Sequence, residues 1–174
     1  MTHTFSDALA LVLQAEGGFV NNPRDPGGMT NLGVTVRTWQ AWTGKPATEQ
    51  VMRALTPAMV TPFYQDLYWN KVAGDILPIA LALAVFDCGV NAGPGEAVRM
   101  LQGIVGAPAD GKCGKTTTRA IETYASKIGL AKLIDRFCDA RRDFYRERTA
   151  FPVFGEGWLS RVDRIESEAL SWAG

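Results

Sequence analysis

Residues 79–93, IALALAVFDCGVNAG, are apolar on nearly every side of a helix, and they follow Pro78, which suits a first turn because its missing N–H has no helical partner there. A helix without a polar stripe has no face to give to water, so other elements must surround it. Gly93-Pro94 ends it. With 174 residues, 47% of them hydrophobic, the chain can supply one good core. The expected architecture is therefore a buried central helix with helices packed around it. Asp87 is the one acid inside this run, so its carboxylate must be paired or hydrogen-bonded. It is expected to fix a loop or an Arg, or to support a cleft from behind, with Asn91 one turn later carrying the same face towards a ligand.

The rest of the chain reads as further helices and one irregular hairpin. Ser6-Asp7 is a cap and first-turn pair, and Leu9, Val12 and Leu13 follow at helical spacing until Gly17-Gly18, giving a helix over about residues 7–16. Residues 17–34 are rich in Gly, Asn and Pro. Phe19-Val20 and Leu32-Gly33-Val34 flank the turn-forming Asp25-Pro26-Gly27-Gly28, which suggests a small β-hairpin. Thr35 caps a helix running to Thr43 and ended by Gly44, Thr48 caps another, and Thr56-Pro57 opens a third towards Trp69, with Pro62 placed to kink it. Further helices are expected over 96–105, 117–127, 130–149 and 158–172. The fold class is α+β, mostly α-helical, in a single domain over 1–174.

Eighteen basic and eighteen acidic residues cancel, so the basic stripe of a phosphate-backbone binder is missing and nucleic acid is not an expected partner. Cys88, Cys113 and Cys138 lack zinc spacing and cannot all pair within one chain, so they read as reduced structural thiols. The lone His3 has no ligand-spaced companion, and no metal or other cofactor is expected. No Lys or Arg precedes the short apolar run near the N-terminus, which cannot span a bilayer; synthesis in the cytoplasm without a signal peptide is expected.

Two acids bracket the glycine-broken stretch. Continuing the apolar stripe Leu9, Val12, Leu13 brings Glu16 onto the core-facing side of the first helix. Partial burial and the negative end of the helix dipole both favour the neutral acid there. Asp25 lies among Asn21, Asn22 and Arg24, where water, amides and a cation favour the anion. One acid kept neutral and one kept ionised is how a glycosidase divides its labour between proton donor and carboxylate partner. The alternative stays open at this level: Glu16 as a frayed helix end reaching solvent, and Asp25 as an Asx-turn residue before proline.

EGGFVNNPRDPGGMTNLGVT, residues 16–35, resembles the N-terminal signature of the glycoside hydrolase family 108 N-acetylmuramidases, a lysozyme-like group of phages, prophages and bacteria. YWNKVAGDILP (68–78), AVFDCGVNAGPGEAVRMLQ (84–102) and FPVFGEGWLSRV (151–162) extend the likeness over essentially the whole chain. The resemblance implies a lysozyme-like fold, with a catalytic portion over about 1–92 and a helical portion over about 93–174. It also implies cleavage of the β-1,4 bond between N-acetylmuramic acid and N-acetylglucosamine, with Glu16 as the essential acid. Glu16, Asp25 and Thr30 look like the acid, aspartate and threonine of phage lysozymes, though the last spacing is one residue shorter here; in that pattern Asp25 and Thr30 position the attacking water. Tyr68 and Trp69 are candidate sugar-stacking rings, Asp87 and Asn91 candidate substrate-side residues, whereas Trp39, Trp158 and Trp172 sit at core-like spacing. LQGIVGAPADGKCGKTTTRAI (101–121) resembles small peptidoglycan-binding helical modules, in a form integrated with the rest; locally, Asp110-Gly111 and Gly114 make turns and Thr116 to Thr118 cap a helix. The implied partner is bacterial peptidoglycan, reached after release through a phage holin or another route, by a chain expected to be a monomer.

Overall fold

The computed structural model describes residues 2–21 and 28–174. Asp25 and the surrounding turn residues 22–27 lie outside them. The elements run α1 (Phe5–Ala15), β1 (Thr30–Asn31), β2 (Val34–Thr35), α2 (Val36–Thr43), α3 (Glu49–Arg53), α4 (Pro57–Tyr64), a π-helical turn (Gln65–Trp69), α5 (Ile79–Ala92), α6 (Pro94–Val105), α7 (Lys115–Ile128), α8 (Leu130–Arg146) and α9 (Phe151–Ala173). This is the α+β, mostly helical class expected. Packing divides the chain into two compact units, Ser6–Leu67 and the N-terminal residues up to Phe5 together with Tyr68–Gly174.

In the first unit the caps are where the local chemistry puts them. The Thr35, Thr48 and Thr56 side chains accept from the amides of Thr38, Val51 and Met59, and α2 ends at Gly44 in the left-handed conformation. Trp39, Phe63 and Tyr64 are buried, with Trp39 and Phe63 rings 6.0 Å apart and Phe63 and Tyr64 5.4 Å apart. The buried Asn31 amide donates to the Met52 carbonyl at 2.8 Å, tying the hairpin to α3. The hairpin register differs from the expected one. Thr30 pairs with Thr35 and Asn31 with Val34, so Leu32-Gly33 is the turn itself and not part of a strand. Both turn residues have positive φ, 50° and 73°, the signature of the type I′ turn whose twist suits a two-residue hairpin. Val20 reaches Thr30 through a single bridge on the other edge.

In the second unit α5 is the buried centre: Ala80 to Gly89 are all buried, and α6, α8 and α9 pack on it. Helix α9 starts at Phe151, seven residues earlier than its apolar spacing indicates. Gly155 and Gly157 look like breakers in sequence, but the Phe151 ring sits over Gly155, within 2.5 Å of where a Cβ would be. Helix α7 begins at Lys115 with Gly114 at its cap, so Thr116 to Thr118 form its first turn and do not cap it. Thr117 is buried and accepts from Gln102, whose amide also reaches Asp110 Oδ1 and the Lys112 carbonyl and whose carbonyl accepts from Gly111 N–H. One glutamine thereby closes the whole 106–114 loop. Trp172 stacks on His3 with centroids 4.1 Å apart.

Candidate active site

Glu16 is the first residue past α1. Its amide still closes a turn onto the Leu13 carbonyl at 3.2 Å, and the next carbonyl, Gly17, accepts from Leu32 N–H at 3.2 Å. The chain leaving the helix is therefore tied to the hairpin tip immediately after the acid. Val20 and Thr30 exchange backbone bonds of 2.8 and 2.9 Å, which sets Thr30 between Val20 on one side and Thr35 on the other. From α4 the buried Tyr64 donates its hydroxyl to the Leu32 carbonyl at 2.8 Å.

These ties converge on Gly33. A Cβ there would lie 2.5 Å from Tyr64 Oη, 2.8 Å from Glu16 Oε2 and 2.9 Å from Glu16 Cδ. The half-buried Glu16 carboxyl thus rests against the bare backbone of an exposed glycine, beside a phenol that holds the turn. Nothing larger than hydrogen fits beneath it. A carboxyl held so can present a proton to a ligand oxygen lying over the hairpin tip. Tyr64 and Gly33 escaped the sequence reading. Tyr64 is indistinguishable from a core aromatic by spacing, and Gly33 was absorbed into an expected strand, although Asn31-Leu32-Gly33 carries the turn-forming residue types.

Of the sequence candidates, Glu16 and Thr30 belong to the first unit, and Asp25 lies outside the described residues. Tyr68, Trp69, Asp87 and Asn91 belong to the second. Trp69 is a correction: at 1% exposure it is core, packed on Phe5 and Phe86 at 5.0 and 5.4 Å and donating Nε1–H to Asp75 at 2.7 Å. Its ring has no face for a sugar. Tyr68 beside it is half-buried. Asp87 is also corrected as a ligand contact, because it is fully buried. Its oxygens take Arg141 Nη2 at 2.7 Å and the Arg161 fork at 2.7 and 2.9 Å, the Arg partnership that its place in an apolar helix demanded. Burial alone would raise the Asp87 carboxyl, but the two guanidinium groups outweigh it and hold the group below its ordinary value. Asn91 is exposed, its amide donating to the Asp87 carbonyl at 2.8 Å.

Among the described residues no three His, Cys, Asp or Glu side chains gather as a metal site. Cys88 and Cys138 are buried free thiols pushed up by that burial to about 11 and about 12, so they stay protonated and inert near neutrality. No helix of the described residues is long and apolar enough to cross a membrane.

Residues 9–93 match the family model described as glycosyl hydrolase 108, and residues 96–163 match the one described as a predicted peptidoglycan domain. No curated protein matches the chain. Among solved structures, Brucella abortus SagA is similar with a TM-score of 0.85 and 41% identity, over 97% of this chain and 95% of that one.

Proposed function

The chain belongs to the glycosyl hydrolase 108 family and carries a peptidoglycan-domain region after the hydrolase match, and from that premise we propose that it is an N-acetylmuramidase with Glu16 as its general acid. The observation that carries the reading is the Glu16 carboxyl resting on Gly33 beside Tyr64. Its substrate is the β-1,4 bond between N-acetylmuramic acid and N-acetylglucosamine. Glu16 gives its proton to the glycosidic oxygen as the bond to the anomeric carbon breaks. A water held by Asp25 and Thr30 forms the new bond to that carbon and yields its proton to Asp25. Such a route asks for carboxyls roughly 6.5–9.5 Å apart, leaving room for the water. Thr30 supports it by position: its backbone is bonded to Val20 and its strand neighbour is Thr35, so its half-buried side chain has a fixed base. Tyr64 is a positioning residue, acting through the Leu32 carbonyl to keep the glycine turn under the acid.

The test is digestion of purified peptidoglycan followed by mass spectrometry of the fragment ends. Reducing muramic ends are expected, and Asp25→Asn should lose most of the rate without altering them. Anhydro ends would reassign the enzyme to lytic transglycosylase chemistry, in which the muramic 6-hydroxyl attacks in place of water. Fragments absent altogether would leave a wall binder.

A further inference from the structure

Within the second unit a recess of about 260 Å³ is lined by Asn91 and Ala92 from the end of α5, Phe144 and Tyr145 from α8, Arg148 just beyond it, and Trp158 from α9. Pockets for drug-sized ligands begin at about 300 Å³, so this one suits a single sugar ring with a substituent at its mouth. Three walls lead back to one buried residue. Asn91 donates to the Asp87 carbonyl. Tyr145 Oη accepts from Arg141 Nε at 3.1 Å, and Arg141 is bound to the Asp87 carboxylate. Trp158 lies one helical turn before Arg161, which forks onto the same carboxylate. The Tyr145 and Trp158 rings meet at 5.3 Å, so the aromatic wall is packed before any ligand arrives. At the rim the exposed Arg148 guanidinium lies 3.7 Å above the Phe144 ring centroid, held in place with its N–H donors available for a carboxylate.

We propose that this recess binds peptidoglycan through one N-acetylated sugar carrying a peptide: the sugar against the half-buried Trp158, whose ring is backed by the buried Tyr145, its acetamido N–H on Asn91 Oδ1, and a free carboxylate of the peptide on Arg148. Asp87 is the positioning residue of that site. Amphipathic rings beside a few convergent polar groups are what a sugar needs, and a stacked, always-charged fork selects the acidic substituent. The inference rests on the wall-hydrolase reading, since peptidoglycan is the polymer that joins acetamido sugars to carboxylate-bearing peptides.

Calorimetric titration of the full chain with two probes tests it: a purified disaccharide–tetrapeptide from peptidoglycan, and the same disaccharide without its peptide. Trp158→Ala is expected to weaken both at least tenfold, and Arg148→Ala to weaken only the peptide-bearing probe by a similar factor. If Trp158→Ala fails to fold, Arg148→Ala and the NMR shift of the wild-type Asn91 side-chain amide on titration still decide the matter. Wild-type affinity in Arg148→Ala, an unmoved Asn91 amide, or no saturable binding by the wild type would overturn the proposal. A chain that digests wall normally while giving those results loses only this recess. One that releases no fragments from wall loses the hydrolase reading, whatever the probes do.

Discussion

At the scale of single residues Gly33 carries the tightest steric constraint of the site. Its φ of 73° and the 2.5–2.9 Å crowding by Tyr64 and Glu16 leave no room for a methyl group. Gly33→Ala is expected to cost about 1–2 kcal/mol from the left-handed backbone alone and to push Glu16 off its seat, so wall clearing should fall much further than thermal stability does. An active Gly33→Ala enzyme would remove the hairpin tip from the mechanism. Asp87 makes a different demand. With Arg141 fully buried and Arg161 half-buried, Asp87→Asn leaves both guanidinium groups uncompensated and should destabilise by about 3–5 kcal/mol, measured by denaturant unfolding at pH 7. Because the folded carboxyl is held below its unfolded value near 3.9, its contribution is fully present above that pH and is lost as pH falls through the folded value. The wild type should therefore lose stability steeply below about pH 4, and the Asn variant should show a shallower acid limb. Asp87 was legible in sequence as an acid that must be paired, because an apolar helix leaves no other option; its two partners lie 54 and 74 residues away and carry no local signal.

Among the elements, those governed by short-range chemistry were legible and those governed by packing were not. Thr35, Thr48 and Thr56-Pro57 mark their helices because a cap bond spans only three residues. The π-helical turn Gln65–Trp69 is different. It follows Pro62, which interrupts the ordinary ladder inside α4, and its last residue accepts from Gly74 N–H at 3.0 Å, five residues on. That winding turns Trp69 inward, where spacing alone had left it free to face a sugar. Gly74 then packs directly on the indole, 2.2 Å from where a Cβ would stand. Gly74→Ala should cost about 1–3 kcal/mol through overpacking, read as a lowered midpoint of thermal unfolding. An unchanged midpoint would mean the indole has room to move.

At the scale of the whole molecule, two divisions of the chain disagree instructively. The hydrolase match ends at residue 93, whereas the packing boundary falls after Leu67. Helix α5 lies between them, inside the hydrolase match yet packed against α6, α8 and α9. A fragment ending at residue 93 would keep an apolar helix without its covering and Asp87 without Arg141 or Arg161. It should show no cooperative thermal transition by circular dichroism; a sharp transition would establish that α5 finds its core elsewhere. The mostly helical class and the buried centre followed from the hydrophobic pattern, but the arrangement around α5 depends on contacts across the length of the chain. For the proposed muramidase as a whole the deciding residue is Glu16. The most direct measurement is the rate at which Glu16→Gln clears suspended cell walls, beside a melt that confirms the fold. A general acid contributes about 10²–10⁴-fold, so the near-isosteric variant should clear at least about 100-fold more slowly at unchanged melting temperature. Clearing within a few-fold of wild type would mean that Glu16 is not the proton donor.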